Sequence, residues 1–301
     1  MKYLVLCVIS LFLGQAFAQT VIEDSPAEDI QESEFLDKIT PSENSVLKER
    51  VELENESSKN RFVLHTYRPN YILPYYYTGS PDYAVYAGDI PDDQTLMHSE
   101  FKGQLSLRMP IWEDIQIFGT DYELQAAYTQ LVYWQLYAES AWFRETNYEP
   151  ELFLTTRPHE NWLINYGLNH QSNGRGGDEE RSWNRAYIDI AASENNWIVA
   201  LRVWTLIFKE QSSDIYNPDI ANYLGHEKLL VGYKWNKNVF IISARNLERI
   251  DHAAFEATWS HPITDNLSVY VQGFSGYGQS LIEYNHHTNS AGIGLAINDW
   301  I

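Results

Sequence analysis

The chain of 301 residues contains a single cysteine, Cys7, so no internal disulfide is available and any thiol chemistry would rest on one residue near the start. It is also poor in basic side chains, with 21 Lys and Arg against 41 Asp and Glu and a formal charge of −20. That balance excludes a protein built to neutralise nucleic-acid phosphates, which needs a basic face. No apolar run reaches the roughly 18 residues that a membrane-spanning helix requires, and the mean hydropathy is −0.39. A β-barrel escapes this exclusion because its strands alternate and look only mildly apolar. What the chain does have is aromatics, 21 Tyr, 10 Trp and 12 Phe, a composition suited to boundaries between water and hydrocarbon.

Met1-Lys2 precedes an apolar stretch from Tyr3 to Leu13, and Ala16-Phe17-Ala18 supplies a small-x-small site before Gln19. Residues 1–18 therefore read as a cleavable secretory signal, too short in its apolar run to act as an anchor. Cleavage removes Cys7 and leaves a mature chain without thiols. Residues 19–60 carry twelve acidic and four basic side chains and no Gly, Trp or Tyr. They read as an acidic, solvated and disordered periplasmic arm.

From Arg61 onward the pattern changes to short alternating segments. Phe101–Met109, Tyr122–Leu136, Trp162–His170, Asn184–Ala192, Leu267–Gly273 and Ile293–Ile297 each place apolar side chains on one parity, the period of a half-exposed strand. Tight turns fit at Ala192–Asn196 and Asn236–Asn238, and longer loops at Gly79–Thr95 and Lys209–Ile220. At about twenty residues per strand and connection, 61–301 accommodates about twelve strands, an even number typical of outer-membrane barrels. A soluble sandwich would also alternate. The export signal, the absence of cysteine in the mature chain and the β-terminal Trp300-Ile301 favour an all-β antiparallel transmembrane barrel.

Taken literally, the parity singles out three polar residues. Trp162, Ile164, Tyr166 and Leu168 put His170 and Ser172 on the lipid-facing side, and Ala186, Ile188 and Ile190 put Asn184 there too. Polar groups facing hydrocarbon are costly unless they serve one another or a function. A hairpin between these strands brings His170 and Asn184 within cross-strand reach. An imidazole can take a serine proton while a neutral amide orients its ring, and a neutral orienter suits a lipid boundary better than a carboxylate. Gln130, among Tyr128, Val132 and Trp134 on the apolar parity of its strand, is a further amide facing lipid that another protein could satisfy. The barrel pattern alone serves equally a pore or a structural barrel without catalysis.

The runs His170-Gln171-Ser172-Asn173-Gly174-Arg175 and Arg181-Ser182-Trp183-Asn184-Arg185 resemble the signature of the outer-membrane phospholipase A family. Phe143–Pro150, Asn217-Pro218-Asp219-Ile220 and Ser275-Gly276-Tyr277-Gly278 resemble further blocks of that family. The resemblance implies a calcium-dependent phospholipase acting on phospholipids and lysophospholipids at both the sn-1 and sn-2 esters. It implies Ser172 as nucleophile and backbone oxyanion donor, His170 as general base and acid, and Asn184 as the group that orients His170. It also implies a reversible homodimer in which Ca2+ is held by the backbone oxygens of Arg175 and Glu180 and by Ser140 from the partner subunit, with Gln130 at the interface. The loop here, Gly176-Gly177-Asp178-Glu179-Glu180, is more acidic than the family pattern, so Asp178 or Glu179 could add a side-chain ligand.

Overall fold

A computed structural model describes residues 64–91, 94–208 and 216–297. The export segment, the acidic arm at 19–60 and the terminal Trp300-Ile301 lie outside the described residues. The strands, in chain order, are β1 (His65–Thr66), β2 (Asn70–Thr78), β3 (Ser99–Ile117), β4 (Thr120–Gln135), β5 (Trp142–Thr156), β6 (Trp162–Ser172) and β7 (Ser182–Glu194). They continue with β8 (Trp197–Leu206), β9 (Glu227–Trp235), β10 (Asn238–Arg245), β11 (Ala254–Thr264), β12 (Leu267–Tyr277) and β13 (His287–Ile297). A five-residue helix, α1 (Ile220–Leu224), lies in the β8–β9 connection.

Every strand from β2 to β13 pairs antiparallel with its sequence neighbours, and β13 pairs with β2 to close a ring of twelve; β1 is a short addition on β3. Closure leaves no sheet edge and satisfies the backbone from strand to strand, as hydrocarbon demands. The two-residue turns Phe118-Gly119, Asn195-Asn196 and Asn236-Lys237 begin with residues at positive φ, of 51°, 51° and 55°. Those left-handed turns match the twist of the flanking strands.

The sidedness separates this fold from a sandwich. Leu105, Met109, Leu152, Tyr166, Leu168, Ile188, Ile293 and Ile297 are exposed on the outer wall. The alternate positions are buried and polar, including Glu100, Lys102, Gln125, Glu145 and Gln272, and Arg144 joins them where the β4–β5 register shifts. Apolar outside and polar inside is the arrangement of a barrel set in lipid. Inside, the Arg144 guanidinium donates to Glu100 at 2.8 Å and to Glu283 at 2.7 Å, and also to the Tyr86 hydroxyl at 2.6 Å. Glu283 sits in the β12–β13 loop, folded inward over the strand ends. Burial pushes its carboxyl pKa up, but Arg144 and the Ser280 hydroxyl outweigh burial and hold it below the ordinary value. Deeper in the lumen Arg68 and Arg185 both reach Glu149, at 2.6 and 2.9 Å, while Arg202 reaches Glu151 and Asp189 at 3.0 and 2.9 Å. These pairs fill the interior with fixed charge.

The closing seam depends on glycine. A Cβ on Gly294 would lie 2.0 Å from the Ile72 carbonyl oxygen, where the β13–β2 register shifts between Ile293 and Leu295. No side chain fits that approach.

Candidate active site

The register of β6 and β7 sets His170 directly opposite Asn184, and Ser172 opposite Ser182. Tyr166 and Leu168 on β6, and Ile188 and Ile190 on β7, are exposed on the same parity as His170, Ser172 and Asn184. Asn165, Asn169, Trp183, Arg185 and Tyr187, on the other parity, are buried in the lumen. All three predicted residues therefore stand on the outer wall, each half-buried.

His170 Nδ1 lies 2.9 Å from Asn184 Oδ1. With Oδ1 as acceptor, Nδ1 carries the proton and Nε2 keeps its lone pair. Ser172 follows His170 by two positions on the same face, about 6.6 Å along an extended strand. Among the described residues no hydrogen bond joins the Ser172 hydroxyl to the ring, so Nε2 and Oγ share a wall without yet sharing a proton. Unliganded hydrolase sites commonly have this looser spacing.

The start of β7 is pinned by a residue to which the sequence alone assigned no role. Asn217, 2% exposed, accepts from the Ser182 N–H at 3.1 Å and donates to the Ser182 carbonyl at 2.9 Å, as a neighbouring strand would. The Ile207 N–H donates to the Asn184 carbonyl at 3.0 Å. Asn184 is thus fixed from both sides before its amide meets the imidazole.

The loop between the two strands has its own staple. Asn173, 4% exposed, accepts from the Arg175 N–H at 3.3 Å and the Arg181 N–H at 3.0 Å, and donates to the Glu179 carbonyl at 2.9 Å. One buried amide therefore gathers both ends of the nine-residue connection between β6 and β7. Gly174, at φ 66°, permits the turn beneath the Tyr148 ring, which a Cβ would approach to 2.9 Å. Asn173 next to a glycine was a readable signal for such a loop, an asparagine that bonds its own downstream backbone.

The Arg175 side chain turns away from the wall. Its guanidinium donates to Glu145 at 3.0 Å and to Glu179 at 2.5 Å, and further to Asp89 and the Arg144 carbonyl. The Glu179 carboxylate is therefore engaged, whereas Asp178 is exposed. The Arg175 carbonyl accepts no hydrogen bond among the described residues, and the Glu180 carbonyl accepts one, from Arg181 at 2.8 Å. No cluster of three or more His, Cys, Asp or Glu poised for a metal occurs among the described residues. A cation here would rest on carbonyl and hydroxyl oxygens, the donor set suited to a hard ion. Ser140 is exposed in the β4–β5 connection, its N–H donating to Gln94 at 3.3 Å. Gln130 faces outward on β4, half-exposed, with the Tyr128 hydroxyl donating to its amide oxygen at 3.2 Å.

Fold and site together define a membrane-type β-barrel whose outer wall, and not its lumen, presents hydrolase-type side chains. The chain belongs to the phospholipase A1 family, whose family model matches residues 47–297. Phospholipase A1 of Klebsiella pneumoniae is 39% identical over 251 residues, covering 80% of this chain and 84% of the relative. Phospholipase A1 of Escherichia coli K12 is 37% identical over 251 residues, with 80% and 83% covered. Among solved structures, outer membrane phospholipase A from Escherichia coli superposes with a TM-score of 0.72 at 36% identity, covering 80% of this chain and all of that one. The Salmonella typhi outer membrane phospholipase, described as a dimer with bound calcium, gives a TM-score of 0.72 at 36% identity, with 80% and 94% covered.

Proposed function

We propose that this chain is a calcium-dependent outer-membrane phospholipase that cleaves sn-1 and sn-2 acyl esters of phospholipids and lysophospholipids, with Ser172, His170 and Asn184 as its catalytic set. The observation that carries the reading is the 2.9 Å contact of His170 with Asn184 on the outer wall, with Ser172 on the same face. A lipid ester lying against that wall meets the hydroxyl from the membrane side. His170 Nε2 takes the Ser172 proton as Oγ attacks the ester carbonyl, and returns it to the leaving glycerol oxygen. Asn184 keeps Nδ1 protonated and the ring aligned without placing a carboxylate against hydrocarbon. The Ser172 backbone N–H serves the developing oxyanion. Water then releases the fatty acid by the same proton transfers in reverse.

The backbone oxygens of Arg175 and Glu180, with Ser140 of the partner subunit, fit Ca2+ by their chemistry. Bound there, the ion would supply positive charge beside the developing oxyanion. The homodimer buries Gln130 at its interface. Residues 1–18 direct export and 19–60 remain on the periplasmic side as a solvated arm, leaving 61–301 as the catalytic barrel.

The test is hydrolysis of phospholipid in mixed micelles by the refolded protein. With calcium the wild type releases fatty acid, and Ser172→Ala does not. Turnover that survives Ser172→Ala, or that persists in excess chelator, overturns the assignment. Ion conductance with no ester cleavage would return the chain to the pore reading.

A further inference from the structure

Within the barrel, under the β12–β13 loop, lies a cavity of about 290 Å³. Its lining is unbalanced in sign, and against the trend of the whole chain: Arg68, Lys102, Arg185, Arg202, Lys228 and Arg245 contribute six cations, while Glu149, Asp189 and Glu256 contribute three carboxylates. Three of the cations are stacked side by side. Lys228 on β9 pairs directly with Arg202 on β8 and with Arg245 on β10. Like charges directly opposite each other destabilise a sheet, and more so in a lumen sheltered from bulk water.

The carboxylates are mostly spoken for. Glu149 is held by Arg68 and Arg185, and Asp189 by Arg202. Glu151, which is not part of the lining, pairs with both Arg68 and Arg202, so the uncompensated charge falls on Lys102, Lys228 and Arg245 against Glu256. Lys102 donates to the neutral Gln272 at 2.6 Å, and Arg245 donates to the carbonyls of Tyr277, at 2.6 Å, and Gly278. The Lys228 ammonium group makes no side-chain hydrogen bond or ion pair among the described residues; Glu256 attracts it while Arg68, Arg202 and Arg245 repel it. The Nε atoms of Arg185 and Arg245 are buried with no hydrogen-bond partner, and Arg185 as a whole is 8% exposed. Unfilled donors and surplus positive charge around one cavity describe an anion site.

We propose that the lumen binds a small, water-soluble, multivalent oxyanion of the phosphate class, held between Lys228 and Arg245 and disfavoured by Glu256. The closed wall separates this cavity from the bilayer, so the ligand is a free ion and not a lipid headgroup. The site is independent of the catalytic reading, since it occupies the lumen and the candidate trio the outer wall. The ion would act as a structural counter-charge that relieves the Arg202–Lys228–Arg245 row.

The experiment uses the full mature chain refolded in an uncharged detergent, without calcium. It measures the thermal midpoint of the heat-modifiable fold and retention of radiolabelled inorganic phosphate in equilibrium dialysis. Sodium chloride at matched ionic strength is the control. Phosphate at ten times its dissociation constant is expected to raise the wild-type midpoint by about 3–5 °C, and chloride much less. Lys228→Gln is expected to bind phosphate about tenfold more weakly or worse, yet to be no less stable than wild type in its absence. Glu256→Gln moves the other way and binds more tightly, which keeps the test decisive if Lys228→Gln does not refold. Equal midpoint shifts with chloride and phosphate, or phosphate affinities unchanged in both variants, would overturn the proposal.

Discussion

Asn173→Ala tests whether the loop between β6 and β7 is held by one side chain. The amide makes three hydrogen bonds, to Arg175, Arg181 and Glu179, from a site that is 4% exposed. Each such bond contributes about 1 kcal/mol net, so their loss costs the ordered loop about 3 kcal/mol if nothing replaces them. The loop borders solvent, and water recovers part of this, leaving about 2 kcal/mol. That energy falls on the loop and not on the barrel, because β6 and β7 keep their own ladder from Trp162–Ala192 to Ser172–Ser182. Calcium that binds the ordered loop must then supply the ordering itself, and about 2 kcal/mol corresponds to about a 30-fold rise in the calcium concentration giving half-maximal activity. The rate at saturating calcium should stay within about twofold, since His170, Ser172 and Asn184 are placed by strands. Initial rates of fatty-acid release against buffered free calcium separate the two parameters. Asn173→Asp keeps the acceptor, loses the donor, and should shift the curve by a smaller amount. An unchanged half-saturating calcium concentration in Asn173→Ala would refute the staple; so would a rate loss that saturating calcium does not restore.

Three further outcomes follow from the geometry. The Glu283 carboxyl is held below its ordinary value by Arg144, so its contribution to stability is complete above the unfolded carboxylate range near pH 4 and is lost as the pH falls through its lowered native value; thermal midpoints between pH 6 and pH 3 should fall less steeply in Glu283→Gln, whose midpoint at pH 6 drops because a buried ion pair worth about 3 kcal/mol or more when broken is gone. Gly294→Ala forces a Cβ to within 2.0 Å of the Ile72 oxygen and should prevent closure of β13 on β2, seen as loss of the fast-migrating unheated band in a detergent gel; retention of that band would show that the seam can shift. Gln130→Ala should lower the dimer fraction at a given calcium concentration by chemical crosslinking and leave the folded monomer intact, since the amide's bond to Tyr128 is an outer-wall contact; an unchanged dimer fraction would remove Gln130 from the interface.

Much of this architecture is legible in a one-dimensional pattern, because a strand turns its side chains over with a strict period of two. Alternation from Phe101 onward is enough to announce strands, to sort lipid-facing from lumen-facing positions, and to set His170, Ser172 and Asn184 on one wall. The local chemistry of Asn195-Asn196 and Asn236-Lys237 is enough to announce tight hairpins. Tertiary pairing settled the remainder. Period and a hairpin bring His170 and Asn184 only within cross-strand reach; the observed register sets them directly opposite each other. Nor does period bring together residues distant in the chain: Arg144 meets Glu100 and Glu283 across separations of 44 and 139 residues, and Asn217 meets Ser182 across 35. The stack of Arg202, Lys228 and Arg245 is invisible in sequence for the same reason. Each cation occupies an ordinary inward position on its own strand, and a conflict of charge arises only when closure lays three such strands side by side.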